Sequence, residues 1–506
     1  MSGRDEQLTA PPPSPPQRVL LSDCAIATVD AAGTEYERGH VLVEGDRIAA
    51  VGAGGYAGPV DRVIDGRGCL ATPGLVNTHH HLYQWATRGL AQQRDLFGWL
   101  VELYPTWARL DDELVHATSA AGLGWLALSG CTTAADHHYV FPRGTGDLIG
   151  AQVHAAAGIG VRLHACRGSM DLGEKDGGLP PDHVVESTDA ALAATAEAIE
   201  RHHDPSPSAT VRVAVAPCSP FSVTPELMRE AAALARAHGV RLHTHLAETL
   251  DEEEFCRDRF GCTPVEYAEK LGWLGGDVWL AHGVHLDAAA IARLGATGTG
   301  IAHCPSSNAR LGAGIAPVRD LLDAGAPVGL GVDGAASQEA GALGPELRQA
   351  LLSARLRAAR TGSAAGPGSA SGAAPASGAA VGERGAVGER AARSRDGVAA
   401  AALTAREALA LGTIGGARCL GRERELGSLE VGKLADVALW RLDGLGHAGI
   451  ADPVAALVLG PPAPLEALLV GGAAVVRSGR LTNADQGALA RDLARVSRRL
   501  TNEVSR

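Results

Sequence analysis

Short apolar runs alternate with Ala- and Leu-rich stretches through the middle of the chain, from about residue 73 to 415. The short runs have the length of buried strands, whereas stretches such as PELMREAAALARAHG repeat apolar residues at helical spacing. Eight strand candidates can be counted: LVNTHHHL, GCTTAADHH, GVRLHACRG, VRVAVAPCS, VRLHTHLAE, VWLAHGVHL, GTGIAHCPSS and PVGLGVDG. Eight repeats of strand and helix predict an α/β fold, a (β/α)8 barrel of the TIM type.

The two ends of the chain have a different pattern, in which short segments alternate apolar and polar residues between Gly and Asp turns. VLLSDCAIATVD, HVLVEGDRIAAVG and RVIDGRGCLATPG precede the barrel, and GSLEVGKLADVALWRL, AALVLG and ALLVGGAAVVRSGRL follow it. We interpret all six as short strands. They predict one small β-sandwich built from residues 18–72 and 416–485.

Three segments lie outside both patterns. Residues 1–17 are polar and Pro-rich and predict a disordered tail. Between 361 and 400, inside the barrel region 73–415, the chain is mainly Gly, Ala, Ser and Pro. That composition cannot bury enough apolar surface to offset the entropy of ordering, so we interpret it as a disordered surface insertion. Residues 486–506 are expected to form a C-terminal helix.

Composition narrows the class of protein. The chain has 506 residues and a net charge of -12, which argues against binding of a nucleic-acid polymer through its phosphates. No secretory signal and no uncharged apolar run of about 20 residues is present, so we expect no membrane span. The nine cysteines form no Cys-x-x-Cys pair. A reduced, cytoplasmic setting is therefore the prediction.

Residues able to bind a metal are concentrated where the predicted strands end. The first strand ends in His79, His80 and His81, and the fifth carries His243 and His245. Because neighbouring side chains in a strand point to opposite faces, each His-x-His pair shares a face and His80 points away. The carboxyl ends of the strands form the mouth of a barrel, where its chemistry takes place.

Further polar residues complete this pattern. Glu248 follows the fifth strand, His282 ends the sixth with His285 beyond it, and Asp333 ends the eighth. The combination predicts a site for a single metal ion, because a second ion usually needs a Lys at the end of the fourth strand. That position holds Cys218.

The donor set indicates the kind of metal and its chemistry. Three neutral imidazoles and one carboxylate suit Zn2+, or Fe2+ in its place, with one ion per subunit. Such an ion keeps a position open for water and lowers the pKa of that water towards about 7. A nearby carboxylate that is not a ligand can move protons to a leaving group, and Glu248 is placed for that role.

Several of these motifs resemble those of a known family. PGLVNTHHHLYQ, HTHLAE, AHG, VDG and GSLEVGKLADVAL resemble the amidohydrolase superfamily, and more narrowly its cytosine/guanine deaminase and chlorohydrolase branch, over residues 18–360 and 400–485. The resemblance implies four metal ligands: His79, His81, His245 and Asp333. It also implies that His282 orients the hydrolytic water. Glu248 would protonate the ring nitrogen next to the attacked carbon.

Longer stretches resemble one subgroup, the bacterial 8-oxoguanine deaminases: SGCTTAADHHYVFP, RGSMDLGEKDGGLPPD, APCSPFSVTP, HLAETLDEEEFC and CPSSNARL. This resemblance implies a nucleobase substrate, 8-oxoguanine, which is deaminated to urate and ammonia. A metal-activated hydroxide would attack C2 of the purine, and Asp333 and His282 would take the proton of the water. Gln84 matches a Gln that bonds the purine edge in guanine deaminases. Guanine deaminases carry an Arg at the end of the fourth strand, where this chain has Cys218, and Arg167 at the end of the third strand is our candidate for its replacement. Relatives of this type are often dimers, which leaves a homo-oligomer open.

The loop after Asp333 departs from the subgroup, because it reads AASQEAGALGPEL instead of continuing with Ser, Asn and acidic residues. A guanine, isocytosine or s-triazine aminohydrolase therefore stays open as an alternative. A catalytically dead scaffold of the same fold is a more remote one.

Other residues near the predicted strand ends receive simpler interpretations. The acidic run Asp251 to Glu254 is interpreted as the solvated first turn of a helix. Trp85, Trp107 and Tyr139 are the aromatic residues expected to stack on a purine.

Overall fold

The computed structural model of the protein describes residues 16–364 and 402–502. The predicted tail at 1–17 and the predicted insertion at 361–400 lie almost wholly outside the described residues, as do 503–506.

The strands before the barrel and at its start are β1 Arg18–Ala27, β2 Glu35–Glu44, β3 Arg47–Ala53, β4 Arg62–Asp65, β5 Cys69–Pro73, β6 Leu75–Asn77 and β7 His80–His81. Those that follow are β8 Cys131–His138, β9 Arg162–Ser169, β10 Val211–Pro217, β11 Arg241–Leu246, β12 Val278–His282, β13 Gly300–His303, β14 Val328–Leu330 and β15 Asp333–Gly334. The last four are β16 Val437–Arg441, β17 Leu465–Val470, β18 Ala473–Arg477 and β19 Arg480–Leu481.

The helices of the first half are α1 Leu96–Trp107, α2 Asp112–Leu128, α3 Leu148–Ile159, α4 Thr188–His202 and α5 Pro225–His238. Those that follow are α6 Leu250–Phe260, α7 Pro264–Lys270, α8 Ala288–Thr297, α9 Pro305–Arg310, α10 Val318–Asp323 and α11 Leu343–Ala364. After residue 402 come α12 Ala405–Ala410, α13 Gly416–Cys419, α14 Pro453–Leu459 and α15 Gln486–Asn502. Short 3-10 turns cover Leu82–Thr87 and Glu174–Asp176, and a π-helical turn covers Leu411–Gly415.

The barrel predicted from the alternating pattern is confirmed. Within residues 16–364, the parallel strands close in the order β10-β11-β12-β13-β14-β6-β8-β9. Each is one of the eight runs picked out in the sequence. Side chains from several strands fill the interior, with Val76, Cys166 and Trp279 in one buried cluster. The interior of the barrel is therefore a packed core rather than a pore, and its uppermost side chains form the floor of the mouth.

The prediction that both chain ends build one additional β unit is also confirmed. In the described ranges its strands share a single sheet in the order β19-β18-β17-β16-β5-β1-β2-β3, with β4 paired to β1. The two ends meet where β5 pairs with β16, Leu70 lying opposite Trp440. A separate apolar cluster that includes Leu21, Val41 and Leu439 forms the core of this unit.

One of the six predicted terminal strands is wrong. AALVLG lies in helix α14, where the Asp452 side chain accepts hydrogen bonds from the backbone N–H groups of Val454 and Ala455. A short apolar run is compatible with either state, and this N-cap at a Pro-initiated turn favours the helix.

None of the described helices combines the length and the apolar character needed to cross a membrane. All nine cysteines are buried and free.

Candidate metal centre and active site

The first and last barrel strands continue past the barrel and bring their polar ends together. β7 pairs with β15 in parallel, with Asp333 opposite His80 and Gly334 opposite His81. As a result the Asp333 Oδ1 atom lies 3.3 Å from His79 Nε2 and 3.1 Å from His81 Nε2. The structure thus unites residues that are more than 250 positions apart in the chain.

Backbone carbonyl groups determine which nitrogen of His81 and His245 faces the site. His81 Nδ1 lies 2.6 Å from the carbonyl oxygen of His137, and His245 Nδ1 lies 2.7 Å from that of Cys218. A carbonyl only accepts, so each Nδ1 carries a proton, and in the neutral form of each ring the lone pair lies on Nε2. These two Nε2 atoms are 3.2 Å apart, an arrangement suited to a shared cation.

His79 reaches the same state through another side chain. His243 Nδ1 donates to the carbonyl oxygen of Trp279 at 2.9 Å, so its Nε2 accepts from His79 Nδ1 at 2.7 Å. The buried Nε2 of His79 has no hydrogen-bond partner. Burial lowers the pKa of His79 well below its usual value, so the imidazole is neutral.

Asp333 is held by hydroxyl groups on its other oxygen. Its Oδ2 accepts hydrogen bonds from Ser307 Oγ at 2.5 Å and Ser337 Oγ at 3.1 Å. Burial opposes ionisation of this carboxylate, whereas the two hydroxyl donors favour its charged form. Its φ of 60° lies in the left-handed region, an uncommon backbone state that aims the carboxylate at the imidazoles.

Glu248 and His282 form a second pair beside these groups. His282 Nε2 lies 3.6 Å from Glu248 Oε2, and His282 Nδ1 is 2.9 Å from Asn308 Oδ1, which only accepts. Burial, together with the Asp333 carboxylate, raises the pKa of Glu248 to about 8. Before any cation binds, Glu248 is therefore a protonated acid at neutral pH.

Glu252 corrects the interpretation of the acidic run as solvated. Its side chain is buried and accepts hydrogen bonds from the backbone N–H groups of Ala247 at 2.8 Å and Glu248 at 3.0 Å. Ala247 has a φ of 55°, so this carboxylate holds a strained turn directly before Glu248. Asp251 and Glu254 are exposed, as expected.

A cavity between helix α1 and the ends of the barrel strands opens onto this cluster. Its aromatic lining consists of Trp99, Tyr104, Tyr139 and Phe221. Of the aromatic residues named from the sequence, only Tyr139 lines the cavity. The indole N–H of Trp85 donates a hydrogen bond to His80 Nε2, and that of Trp107 donates to Thr87 Oγ1. Both tryptophans point into the core because they belong to helical turns that face inwards.

The two predicted substrate contacts lie apart from the cavity lining. The Arg167 guanidinium forms two hydrogen bonds with Glu186, at 2.9 and 2.7 Å, and lies 4.0 Å from the centre of the Phe141 ring. The buried Gln84 side chain packs so closely on Gly334 that a Cβ atom there would come within 1.7 Å of Gln84 Oε1.

The donor atoms fit a metal ion. Among the described residues, two groups of four have ligand atoms within 4.8 Å of one another: His79, His81, His137, His245, and His79, His245, His282, Asp333. The predicted ligands all belong to one group or the other. His137 Nε2 donates to the Ala216 carbonyl oxygen at 2.7 Å.

Some contributors were assigned no role from the sequence. His243 could have been found from its His-x-His spacing with His245, but nothing in the spacing distinguishes a ligand from its support. Ser307 and Asn308 reach the site from the short helix α9, and Ser337 from the turn after β15, neither of which the strand pattern places.

Comparison with known proteins identifies the family. The sequence profile of the amidohydrolase family matches residues 70–475. The chain belongs to the amidohydrolase family. This amidohydrolase is 44% identical over 467 residues to an 8-oxoguanine deaminase of Pseudomonas aeruginosa, covering 92% of this chain and 95% of the relative. It is 38% identical over 471 residues to an isoxanthopterin deaminase of an unknown prokaryotic organism, covering 92% of each.

A solved relative has the same fold. The crystal structure of atrazine chlorohydrolase TrzN from Arthrobacter aurescens TC1, complexed with zinc, superposes with a TM-score of 0.83 at 33% identity. The match covers 95% of this amidohydrolase and all of that chain. The protein is therefore a hydrolase of the amidohydrolase family with a cluster of His and Asp side chains able to hold a metal ion.

Proposed function

We propose that this amidohydrolase deaminates 8-oxoguanine with water to give urate and ammonia. The reaction type is supported by one observation above all, the convergence of imidazole Nε2 atoms on the Asp333 carboxylate beside the buried side chain of Glu248. The choice of purine is supported by the 44% identity to a named 8-oxoguanine deaminase over nearly the whole length of both chains.

We assign the ligands of a single Zn2+ or Fe2+ to His79, His81, His245 and Asp333. The fit rests on three imidazoles whose Nδ1 atoms are engaged in hydrogen bonds, which leaves their Nε2 atoms facing the cluster, and on the Asp333 carboxylate beside them. Such an ion, when bound, lowers the pKa of a water towards about 7 and so supplies the nucleophile at neutral pH.

The remaining residues move protons. Asp333 and the Nε2 atom of His282 accept the proton of the attacking water, since both carry a lone pair directed at the cluster. Glu248 delivers its proton to N3 of the purine, which lets C2 become tetrahedral without charge building up on the ring. Collapse of that carbon centre, with a proton passed to the amino group, releases ammonia and forms the C2 carbonyl of urate.

The cavity supplies the surfaces for a flat ring. Trp99, Tyr104, Tyr139 and Phe221 offer apolar and edge contacts to a purine. Gln84 stays our candidate for a hydrogen bond to the purine edge, reached by a change of its side-chain rotamer. The ion pair of Arg167 with Glu186 instead favours a structural role for that residue.

A second candidate is an s-triazine aminohydrolase. The 33% identity and TM-score of 0.83 to an atrazine chlorohydrolase favour it, because the same water attack suits an amino-triazine carbon. Guanine and isocytosine are the other ring systems with an amidine-like carbon that the site could accept.

A substrate panel with the purified enzyme tests these proposals. 8-Oxoguanine, guanine, isocytosine, isoxanthopterin and a hydroxy-s-triazine are compared by ammonia release, with urate followed by absorbance. We expect 8-oxoguanine to have the highest kcat/KM. A clear preference for guanine or the triazine would contradict the substrate assignment. A protein that binds no Zn2+ or Fe2+ and releases no ammonia from any of them would instead indicate a scaffold.

A further inference from the structure

The floor beneath the metal cluster is built from two side chains on neighbouring strands. His243 of β11 lies opposite Trp279 of β12, and both are fully buried. The imidazole stacks on the indole with ring centres 4.5 Å apart and planes inclined by 18°. His243 Nδ1 also donates to the Trp279 backbone oxygen at 2.9 Å. The His243 ring thus has one orientation and one protonation pattern.

Trp279 supports the first strand as well. Its indole Nε1–H donates to the carbonyl oxygen of Thr78 at 3.0 Å, directly before His79 in the chain. The same tryptophan therefore orients His243 and the backbone that carries His79. The two imidazoles meet with His79 Nδ1 2.7 Å from His243 Nε2.

His79 differs in this respect from the other two imidazoles assigned as ligands. His81 and His245 donate their Nδ1–H groups to backbone carbonyls, which no substitution removes. His79 donates to the Nε2 atom of a side chain. Without that acceptor, the tautomer of His79 with the proton on Nε2 becomes available, and its lone pair no longer faces the cluster.

We propose that His243 is a positioning residue that holds His79 in the tautomer able to bind the metal, so that metal retention depends on His243. The proposal rests on the metal site of the proposed function and is independent of which ring the enzyme deaminates. His243 itself stays outside the set of ligands, because its Nε2 is occupied by the hydrogen bond from His79.

Two substitutions of His243 distinguish its hydrogen bond with His79 from its hydrogen bond with the Trp279 carbonyl oxygen. In His243→Gln the amide oxygen lies near the place of Nε2 and can accept from His79 Nδ1. In His243→Asn the shorter amide reaches only the Trp279 carbonyl. His164→Asn is the matched control, because His164 is another buried barrel histidine whose ring centre lies 5.3 Å from that of Trp279. It has no hydrogen bond to a residue assigned as a ligand.

The measurement is the rate at which the zinc-loaded enzyme loses zinc to a coloured chelator, with melting temperatures of the metal-free proteins alongside. We expect His243→Asn to release zinc about 10- to 100-fold faster, the size of effect seen when outer partners of ligands are removed. His243→Gln and His164→Asn should stay within about threefold of the wild type on the same scale. Equal release rates for the Gln and Asn variants would overturn the proposal, whether both are fast or both are slow.

A second measurement needs no variant. With 15N-labelled histidine in the metal-free wild type, NMR should find the protons of His79 and His243 on Nδ1. A proton on Nε2 of His79 would overturn the proposal even if His243→Asn failed to fold. A wild type that binds no zinc at all would overturn the proposed metal site too, whereas normal zinc binding with slow release from His243→Asn would overturn only the role of His243.

Discussion

At the amino-terminal end of the barrel, Arg162 and Asp436 bury a charged pair whose hydrogen bonds go to each other and to nearby backbone. Two hydrogen bonds of 3.1 Å join the Arg162 guanidinium to the Asp436 carboxylate. Arg162 also donates to the backbone carbonyls of Ser208 and Ala209. Asp436 also accepts a hydrogen bond from the Gly471 N–H group. This pair links β9 of the barrel to the residue before β16 of the sheet. Its polar groups are satisfied within the protein.

At the carboxyl-terminal end of the barrel, by contrast, some buried polar atoms have no hydrogen-bond partner. His79 Nε2 has no hydrogen-bond partner, and Ala247, His282 and Asp333 adopt left-handed backbone conformations. Unsatisfied buried groups and positive φ values of non-glycine residues both lower stability. The same barrel thus uses burial to join two units at one end and to prepare a cation site at the other. Changes at the two ends should therefore affect different measurements.

The largest effect is expected from Asp333→Ala, which removes the only carboxylate of the assigned ligands. Both bound metal and turnover should be lost, since the remaining imidazoles leave the charge of the ion unbalanced. Elemental analysis and ammonia release measure the two. Asp333→Asn separates charge from backbone strain, because Asn also adopts the left-handed conformation. Asp320→Ala is the control, because this side chain is exposed on the surface of α10. Full metal content in both Asp333 variants would contradict the assignment.

Glu248→Gln should keep the metal but lower kcat by about 10²- to 10⁴-fold, the range for removal of a general acid. The amide retains the shape of the carboxyl group and cannot deliver the proton. Elemental analysis with steady-state kinetics measures this, and Glu253→Gln in the following helix α6 should behave as the wild type. A variant that lost metal together with activity would indicate that Glu248 is a ligand.

At the other end, Asp436→Asn should lower the free energy of unfolding by about 3–5 kcal/mol, because Arg162 would remain buried without its partner charge. Metal content and turnover per folded molecule should not change. Denaturant titration measures the loss. Asp443→Asn, at a half-exposed ion pair with Arg441, should cost about 1 kcal/mol or less. A loss of metal in Asp436→Asn would mean that the two ends are coupled.

The smallest effect concerns pH. Burial raises the pKa of Glu248 in the metal-free protein from the usual 4.5 to about 8. Between those values the folded protein keeps a proton that the unfolded chain has released, so the free energy of unfolding falls as pH rises, by at most about 1.4 kcal/mol per pH unit. Glu248→Gln lacks this contribution.

Denaturant titrations of the metal-free proteins, between about pH 5.5 and about 7.5, measure the difference in unfolding free energy between wild type and Glu248→Gln. As pH rises, the unfolding free energy of the wild type should fall relative to that of Glu248→Gln. A constant difference would mean that Glu248 is ionised throughout.

Much of the fold could be predicted from local pattern. Buried parallel strands read as short apolar runs and amphipathic helices as longer periodic ones, which is why all eight barrel strands were found. AALVLG was missed because a six-residue apolar run fits both states, and the N-cap of Asp452 determines which forms. Glu252 was interpreted as solvated because its neighbours in the acidic run are. Its burial depends on the turn through Ala247.

Local sequence pattern was sufficient to predict the barrel, the sheet from both chain ends and the positions of the candidate site residues at strand ends: His79, His81, His245, Glu248, His282 and Asp333. These features follow from strand and helix periodicity and from the rule that barrel chemistry lies at the carboxyl ends of strands. Only the folded structure shows which nitrogen of each candidate ligand imidazole faces the cluster. Only the folded structure shows that Arg167 forms an ion pair with Glu186. It also placed His243 beneath His79, 164 positions away in the chain. Hydrogen-bond partners of this kind are set by packing between distant segments, and no local pattern encodes them.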